Sequence, residues 1–338
     1  MGIYIKHNKN YWERKILNNK KLDLELFTPT EIELDRSKKI FKKYVELVCL
    51  ELSYYCNRAC SYCPVSIFER SDKNLELDTE IFTNVVNSLS EINFSGRVSL
   101  NLFNEPLASK NFLNNVKKIK DQLPNAVLSC NSNGDYIKNF DMFNKISKSG
   151  LQEILITLHP PKNQKWTRKY AELSLKRFAK RIDYKLSSEE LNNIKFWLYV
   201  GDLYIEVFCT NWDEKGNSRG GLMKNLSEKV RTNPCEKPIR ELVISYDGSI
   251  QLCCHSYQNK EIDNGIAKVD KDDQNSIFKI YMSKTLSRIR NGLFSYSEKS
   301  GICKTCNHYE DNFRTDINFF LSKNDKEKRN KILKKINI

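Results

Sequence analysis

The sequence contains no run of apolar residues long enough to cross a bilayer, which excludes a helical membrane anchor within it. Its start, MGIYIKHNKNYWERK, lacks the apolar core of a secretion signal. Gly2 follows Met1, but Lys6 stands where a myristoylation site needs Ser or Thr. The cytoplasm is the compartment these absences lead one to expect, with no membrane partner. There the eleven cysteines are expected to be reduced rather than paired. The chain has no internal repeat, no RNA-binding module and no basic stretch interleaved with aromatics. No nucleic-acid partner is therefore expected, in spite of a net charge of +14. The lysines crowd RSKKIFKKY and KNDKEKRNKILKK, which read as solvated helix faces. A basic surface also suits a small acidic electron carrier.

What is present is an alternation of strand and helix patterns. Residues 44–53, 97–103, 125–131 and 153–159 are apolar and β-prone. Between them, 78–92, 109–123 and 136–150 carry helical spacing, the last ending at Gly150. Such alternation implies parallel strands with right-handed crossovers. The fold class is α/β, a partial (β/α) TIM-type barrel, in which chemistry sits at the carboxyl ends of the strands. Two apolar runs within 196–208 are expected to be its last strands, and 213–221 a flexible loop. Beyond residue 230 the pattern changes. Residues 241–254 read as a hairpin turning at Asp247–Gly248, and 276–294 as one helix or two. The expected divisions are a basic extension (1–44), the barrel (45–230), a small hairpin-plus-helix domain (231–310) and a basic helix (311–338).

The cysteines cluster. Cys56, Cys60 and Cys63 lie on the loop leaving the first strand. Structural zinc wants four ligands in a closed site, and the nearest fourth thiol, Cys49, lies within the strand. Three thiolates on one loop suit a four-iron cluster with one iron left open. A second set follows: Cys235, twelve residues, Gly248, four residues, Cys253, and later Cys303-x-x-Cys306. A hairpin turning at Gly248 would bring its two ends to one side, making a closed four-thiolate site that suits zinc or iron. Cys49, Cys130, Cys209 and Cys254 are left over and are expected to pack as small hydrophobes.

CNRACSYCP, with Tyr62 before its last cysteine, resembles the radical S-adenosylmethionine (radical SAM) superfamily. The resemblance implies that Cys56, Cys60 and Cys63 hold a 4Fe-4S cluster whose open iron chelates S-adenosylmethionine. Cleavage of the sulfonium then gives a 5′-deoxyadenosyl radical that abstracts hydrogen from substrate. FNEPL (103–107) takes the place of the superfamily's GGE segment, with Asn104 for a glycine, which implies that Glu105 meets the ammonium of S-adenosylmethionine. SNGD (132–135) is similar to the family's TNGD segment, with Ser132 and Asn133 near the ribose. Thr157 and His159 of ITLH match the segment on the adenine and substrate side. Cys235, Cys253, Cys303 and Cys306 resemble the twitch domain, the short form of the SPASM domain, which implies a second, auxiliary 4Fe-4S cluster.

The order of these segments, with SRGG (218–221), is similar to that of radical SAM dehydrogenases that oxidise a secondary alcohol of an aminocyclitol. That likeness implies that Arg219 contacts substrate as a catalytic residue, although Ser218 replaces an asparagine of the pattern. The expected function is oxidation of a hydroxyl-bearing carbon of a sugar or aminocyclitol, with the electron passing to the auxiliary cluster. A flavodoxin or ferredoxin is the expected donor. Within the class the rivals are an epimerase, with Cys254 or Cys209 as hydrogen donor, and a peptide-modifying maturase. The first 44 residues are short for the latter's recognition domain. Outside the class the rival is a non-catalytic zinc-binding scaffold.

Overall fold

The computed structural model describes residues 23–161, 164–226, 229–232, 235–257, 266–294 and 297–308. Residues 1–22 and the basic stretch expected as a helix over 311–338 lie outside the described residues. In chain order the first half comprises α1 (Leu34–Tyr44), β1 (Leu47–Leu50), α2 (Thr79–Glu91), β2 (Arg97–Ser99), α3 (Phe112–Gln122), β3 (Val127–Ser132), α4 (Asp141–Lys148) and β4 (Glu153–Thr157). There follow α5 (Arg168–Arg181), α6 (Ser188–Asn193), β5 (Lys195–Val200), β6 (Leu203–Phe208) and α7 (Trp212–Lys215). The last part holds α8 (Lys237–Arg240), β7 (Glu241–Ile244), β8 (Ser249–Gln251), β9 (Ala267–Lys268), α9 (Ser276–Tyr281) and α10 (Lys284–Phe294).

The helices start where side chains satisfy their first amides. Asp78 accepts from Glu80 N at 2.8 Å and Ile81 N at 3.2 Å to open α2. Ser187 and Glu190 form a reciprocal capping box at α6. The α2 face Ile81, Val85, Val86 and Leu89 is buried, as is Phe112, Val116 and Ile119 of α3. These stripes share one core with β-strand residues such as Val48, Val98, Leu128, Ile154 and Ile205, which are less than 2 % exposed. α4 is shorter than its pattern implies. Asn133 Oδ1 takes Asp135 N at 2.9 Å in a local turn, so the chain after β3 runs non-helically to Phe140.

The strands form one nine-stranded sheet in the order β5-β6-β4-β3-β2-β1-β7-β8-β9. From β6 to β7 every neighbour is parallel. Two features differ from the sequence pattern. Of the two runs within 196–208, only β6 joins the parallel set. Gly201, at φ +59°, and Asp202 turn the chain back on itself, so β5 pairs antiparallel to β6 at the sheet edge. The hairpin of 241–251 does not stand apart from the barrel either, because β7 pairs in parallel with β1 over Leu47–Leu50. Residues before 45 are also drawn in. Phe41 of α1 packs edge-on against Phe278 at 5.2 Å and Tyr281 at 5.1 Å of α9.

The end of β1 is fastened by one buried carboxylate. Glu51 and Arg70 are 0 % and 2 % exposed. Glu51 Oε1 accepts from Arg70 Nη1 at 2.7 Å and Phe103 N at 2.8 Å, and Oε2 from Ser245 Oγ at 3.0 Å and Tyr246 N at 3.3 Å. The guanidinium lies 4.4 Å from the Tyr54 ring centre and 5.4 Å from that of Tyr246. Breaking such a pair leaves a charge stranded in the core. Arg70→Ala is expected to lower stability by about 3–5 kcal/mol, read from urea unfolding followed by circular dichroism. An unchanged unfolding midpoint would show that water, not Arg70, satisfies Glu51.

Candidate functional site

A cavity of about 900 Å³ opens at the carboxyl ends of β1 to β4. Each strand contributes where the polar motifs leave it: the cysteine loop after β1, Asn104 and Glu105 after β2, Ser132 and Asn133 at the end of β3, Thr157 and His159 at β4. Arg219 lines the far side. All the barrel residues singled out in the sequence, Cys56, Cys60, Tyr62 and Cys63 included, thus face one space.

The cysteine loop is clamped at both of its intervals. Arg58 forms a two-pronged pair with Asp135, Nη2–Oδ1 at 2.7 Å and Nε–Oδ2 at 2.8 Å, and its Nη1 donates to His159 O at 2.9 Å. Asn57 donates to Asp135 and accepts from Asn133 Nδ2, both at 2.7 Å. The Tyr62 hydroxyl meets His159 Nδ1. Burial, then the Arg58 charge, pushes His159 down to about 3, so the ring that shares this hydrogen bond is neutral. Ser61 Oγ donates to Asp213 of α7 at 2.6 Å.

Burial pushes the Cys56 thiol up to about 12 and Cys60 up to about 11, and raises Cys63 as well. Thiols held neutral in this way ionise when a bound metal centre supplies the opposing charge. A single zinc would draw its ligands to about 2.3 Å from one point. The cysteine loop brings three thiols to the cavity, one short of the four ligands that structural zinc takes. A cluster gives each thiolate its own iron, and this donor set fits that.

Glu105 is 1 % exposed and is held rather than free. Its Oε1 accepts from Ser132 Oγ at 2.8 Å and Leu107 N at 3.1 Å, and its Oε2 from Asn133 N at 2.7 Å. Ser132 and Asn133, read as ribose neighbours, therefore also orient this carboxylate. Asn104 Nδ2 donates to Ser53 Oγ at 3.0 Å and its Oδ1 accepts Leu102 N at 3.1 Å, which fixes the turn carrying Glu105.

The loop expected to be flexible is packed. Ser218 is fully buried; its N donates to Asn307 Oδ1 at 2.8 Å and its Oγ to Thr305 O at 3.0 Å. Gly220 and Gly221 take φ +70° and +90°, and a Cβ on Gly221 would stand 2.7 Å from Thr305 Oγ1. This turn brings Arg219 over the Phe103 ring at 5.5 Å, its Nη1 donating to Cys254 O at 3.3 Å. Arg219 itself sits at φ +52°, and its Nε is buried without a partner.

A second, smaller cavity is lined by Cys235, Cys253, Cys303 and Cys306 together. Burial raises Cys235 and Cys253 and pushes Cys303 up to about 12. Arg231 Nη1 lies 3.6 Å from Cys306 Sγ. Cys254 is outside this cavity; Lys237 Nζ lies 3.5 Å from its Sγ, and its N donates to Glu241 Oε2 at 3.4 Å. Cys49, Cys130 and Cys209 are buried in the core. Arg58, Asp135, Asn307, His255 and His308 were not singled out in the sequence. Asn57 and Arg58 lie between the first two cysteines, and each of the last two histidines follows a cysteine by two residues, which was the available signal.

Comparison with known proteins places this geometry among relatives. Residues 235–307 match SPASM, an iron–sulfur cluster-binding domain. The chain is 24 % identical over 268 residues to the S-adenosyl-L-methionine-dependent 2-deoxy-scyllo-inosamine dehydrogenase of Niallia circulans, spanning 79 % of this chain and 94 % of that one. It shares its fold with the crystal structure of BtrN in complex with AdoMet and 2-DOIA, at a TM-score of 0.56 and 20 % identity over 78 % of this chain and 94 % of that one. BtrN in an open conformation matches at a TM-score of 0.52 and 18 % identity, over 78 % and 92 % of the two chains.

Glu105 has a measurable signature. Burial pushes its carboxyl from 4.5 up to about 7, against the three donors that hold it. The folded chain therefore binds this proton more tightly than the unfolded one. The contribution is full below about 4.5 and is lost as pH rises to about 7, a fall of about 3 kcal/mol. Urea midpoints of the metal-free protein at pH 5 and pH 8 should show this fall, and Glu105→Gln should flatten it. An equal pH dependence in both proteins would mean that Glu105 is solvated.

Proposed function

We propose that this chain, a radical SAM protein with a SPASM-type iron–sulfur domain, is an oxidoreductase acting on a hydroxyl-bearing carbon of a sugar or aminocyclitol. The observation that carries this is the pair of thiol sets in adjoining cavities, three on the barrel loop and four beyond it. When bound, S-adenosylmethionine on the first cluster supplies a hydrogen-abstracting radical, and the auxiliary cluster supplies an electron acceptor. Removal of one hydrogen atom, then one proton and one electron, turns the alcohol into a ketone.

The chain's own part is to bind and orient. Cys56, Cys60 and Cys63 hold the first centre on a loop clamped by Arg58 and Tyr62. Glu105, with three acceptor positions filled, has one lone pair left to offer the ammonium of S-adenosylmethionine. Thr157 and His159 face the adenine and substrate side, and Arg219 reaches the substrate from the SRGG turn. Cys235, Cys253, Cys303 and Cys306 hold the auxiliary centre. The dehydrogenase is favoured over the epimerase because, among the described residues, no thiol besides those three lines the barrel cavity. An epimerase needs a hydrogen donor there, and neither Cys254 nor Cys209 lines that cavity. The basic surface suits a flavodoxin or ferredoxin as donor.

Anaerobically reconstituted protein should bind about eight irons, and replacing Cys56, Cys60 and Cys63 by Ala should halve that and abolish S-adenosylmethionine cleavage. Cleavage that survives in the triple variant would rule the chemistry out. Glu105→Gln should weaken S-adenosylmethionine binding by about 1.5–3 kcal/mol by calorimetry. Full affinity in that variant would remove Glu105 from the ammonium site.

A further inference from the structure

Four histidines occur in the chain, and three of them, His159, His255 and His308, line the barrel cavity. His255 and His308 alone among its lining residues also line the four-cysteine cavity. They follow Cys253 and Cys306 by two residues each, so both rings spring from the backbone that carries a cysteine of that cavity. The rings are in contact but tilted, with centroids 3.8 Å apart and planes 33° from parallel. Each is held from behind. Arg219 Nη1 donates to Cys254 O, Arg231 Nη1 donates to His308 O at 3.0 Å, and Ser256 Oγ closes the turn onto Cys253 O at 3.0 Å. His255 Nδ1 is buried without a hydrogen-bond partner in the protein, which leaves it to whatever occupies the cavity.

A wall meant only to keep two cavities apart would be served by leucine. Two π systems 3.8 Å apart bridge the same gap with delocalised orbitals in contact, and that lowers the barrier to moving an electron across it. We propose that the His255–His308 ring pair is the electron contact between the barrel cavity and the four-cysteine cavity. The inference rests on the two-cluster assignment proposed above. The step is a single-electron transfer: one centre is oxidised by one electron, the other reduced by one, and no protein bond forms or breaks.

The test needs no substrate. One electron is injected by flash photoreduction into the anaerobic two-cluster protein, and its redistribution between the clusters is followed by freeze-quench electron paramagnetic resonance. The double substitution His255→Leu/His308→Leu should keep the wild-type iron content and both cluster signals, yet slow redistribution on the order of tenfold or more. His255→Phe/His308→Phe restores two π rings in contact and should recover the rate. Should the Leu pair lose iron, the Phe pair measured against wild type decides: a retained rate supports the contact, a slowed one overturns it. An unchanged rate in the Leu pair overturns it. So does a strong nitrogen coupling in the auxiliary signal that the Leu pair abolishes, since the ring would then be a ligand. About four irons in the wild type would overturn the two-cluster assignment itself.

Discussion

The carboxylate of Glu51 sits one residue beyond β1, without exposure to water, and everything around the cavity is referred to it. A buried carboxylate must have its lone pairs met or it unfolds the site around it. Here the four donors come from three segments: Arg70 after the cysteine loop, the amide of Phe103 before Glu105, and Ser245 and Tyr246 at the hairpin turn. The cysteine loop therefore begins and ends beside the same anion. Cys56 N also donates to Arg70 O at 3.0 Å, so the first thiol is tied to the residue that neutralises Glu51.

From that anchor a polar chain runs along the strand ends. Arg58 joins Asp135, Asp135 joins Asn57, Asn57 joins Asn133, and Asn133 N reaches Glu105. Each member lies at the end of a strand or in the loop after it, where the backbone stops satisfying itself and side chains must. The same property makes these positions available for binding. A parallel barrel exposes the strand ends on one rim, so the residues that repair the rim and those that bind are neighbours by construction.

How much of this was legible in the sequence depended on how local each signal is. Cys56, Cys60 and Cys63 share a loop, and their spacing alone announces a metal site. The strands that feed the cavity were visible because buried parallel strands read as short apolar runs. At Gly201–Asp202 the turn signal is local, but the apolar runs on either side do not say that the first of them lies antiparallel at the sheet edge. Arg70 was out of reach. In RSDKNLEL it looks like any exposed charge, and only Glu51, nineteen residues earlier, makes it a core residue. The order of the SRGG loop was hidden for a related reason. Two glycines beside charges suggest mobility, yet their positive φ angles serve to fit the loop against Ile302 and Thr305, far away in sequence.

The parallel pairing of β7 with β1 carries a consequence for how such proteins diversify. The cysteine-bearing C-terminal segment is not a bead on a string, because its first strand is laid into the barrel sheet in register, Leu47 against Glu241 through Leu50 against Ile244. Recombination cannot graft this segment onto another barrel by matching cut points alone. The incoming strand must also carry a side-chain alternation that fits the recipient's first strand, since a slip of one residue would turn Leu242 and Ile244 out of the core. Exchange of such a segment thus favours donors whose first strand already fits β1, and a cut within the sheet would break the register that joins the two parts.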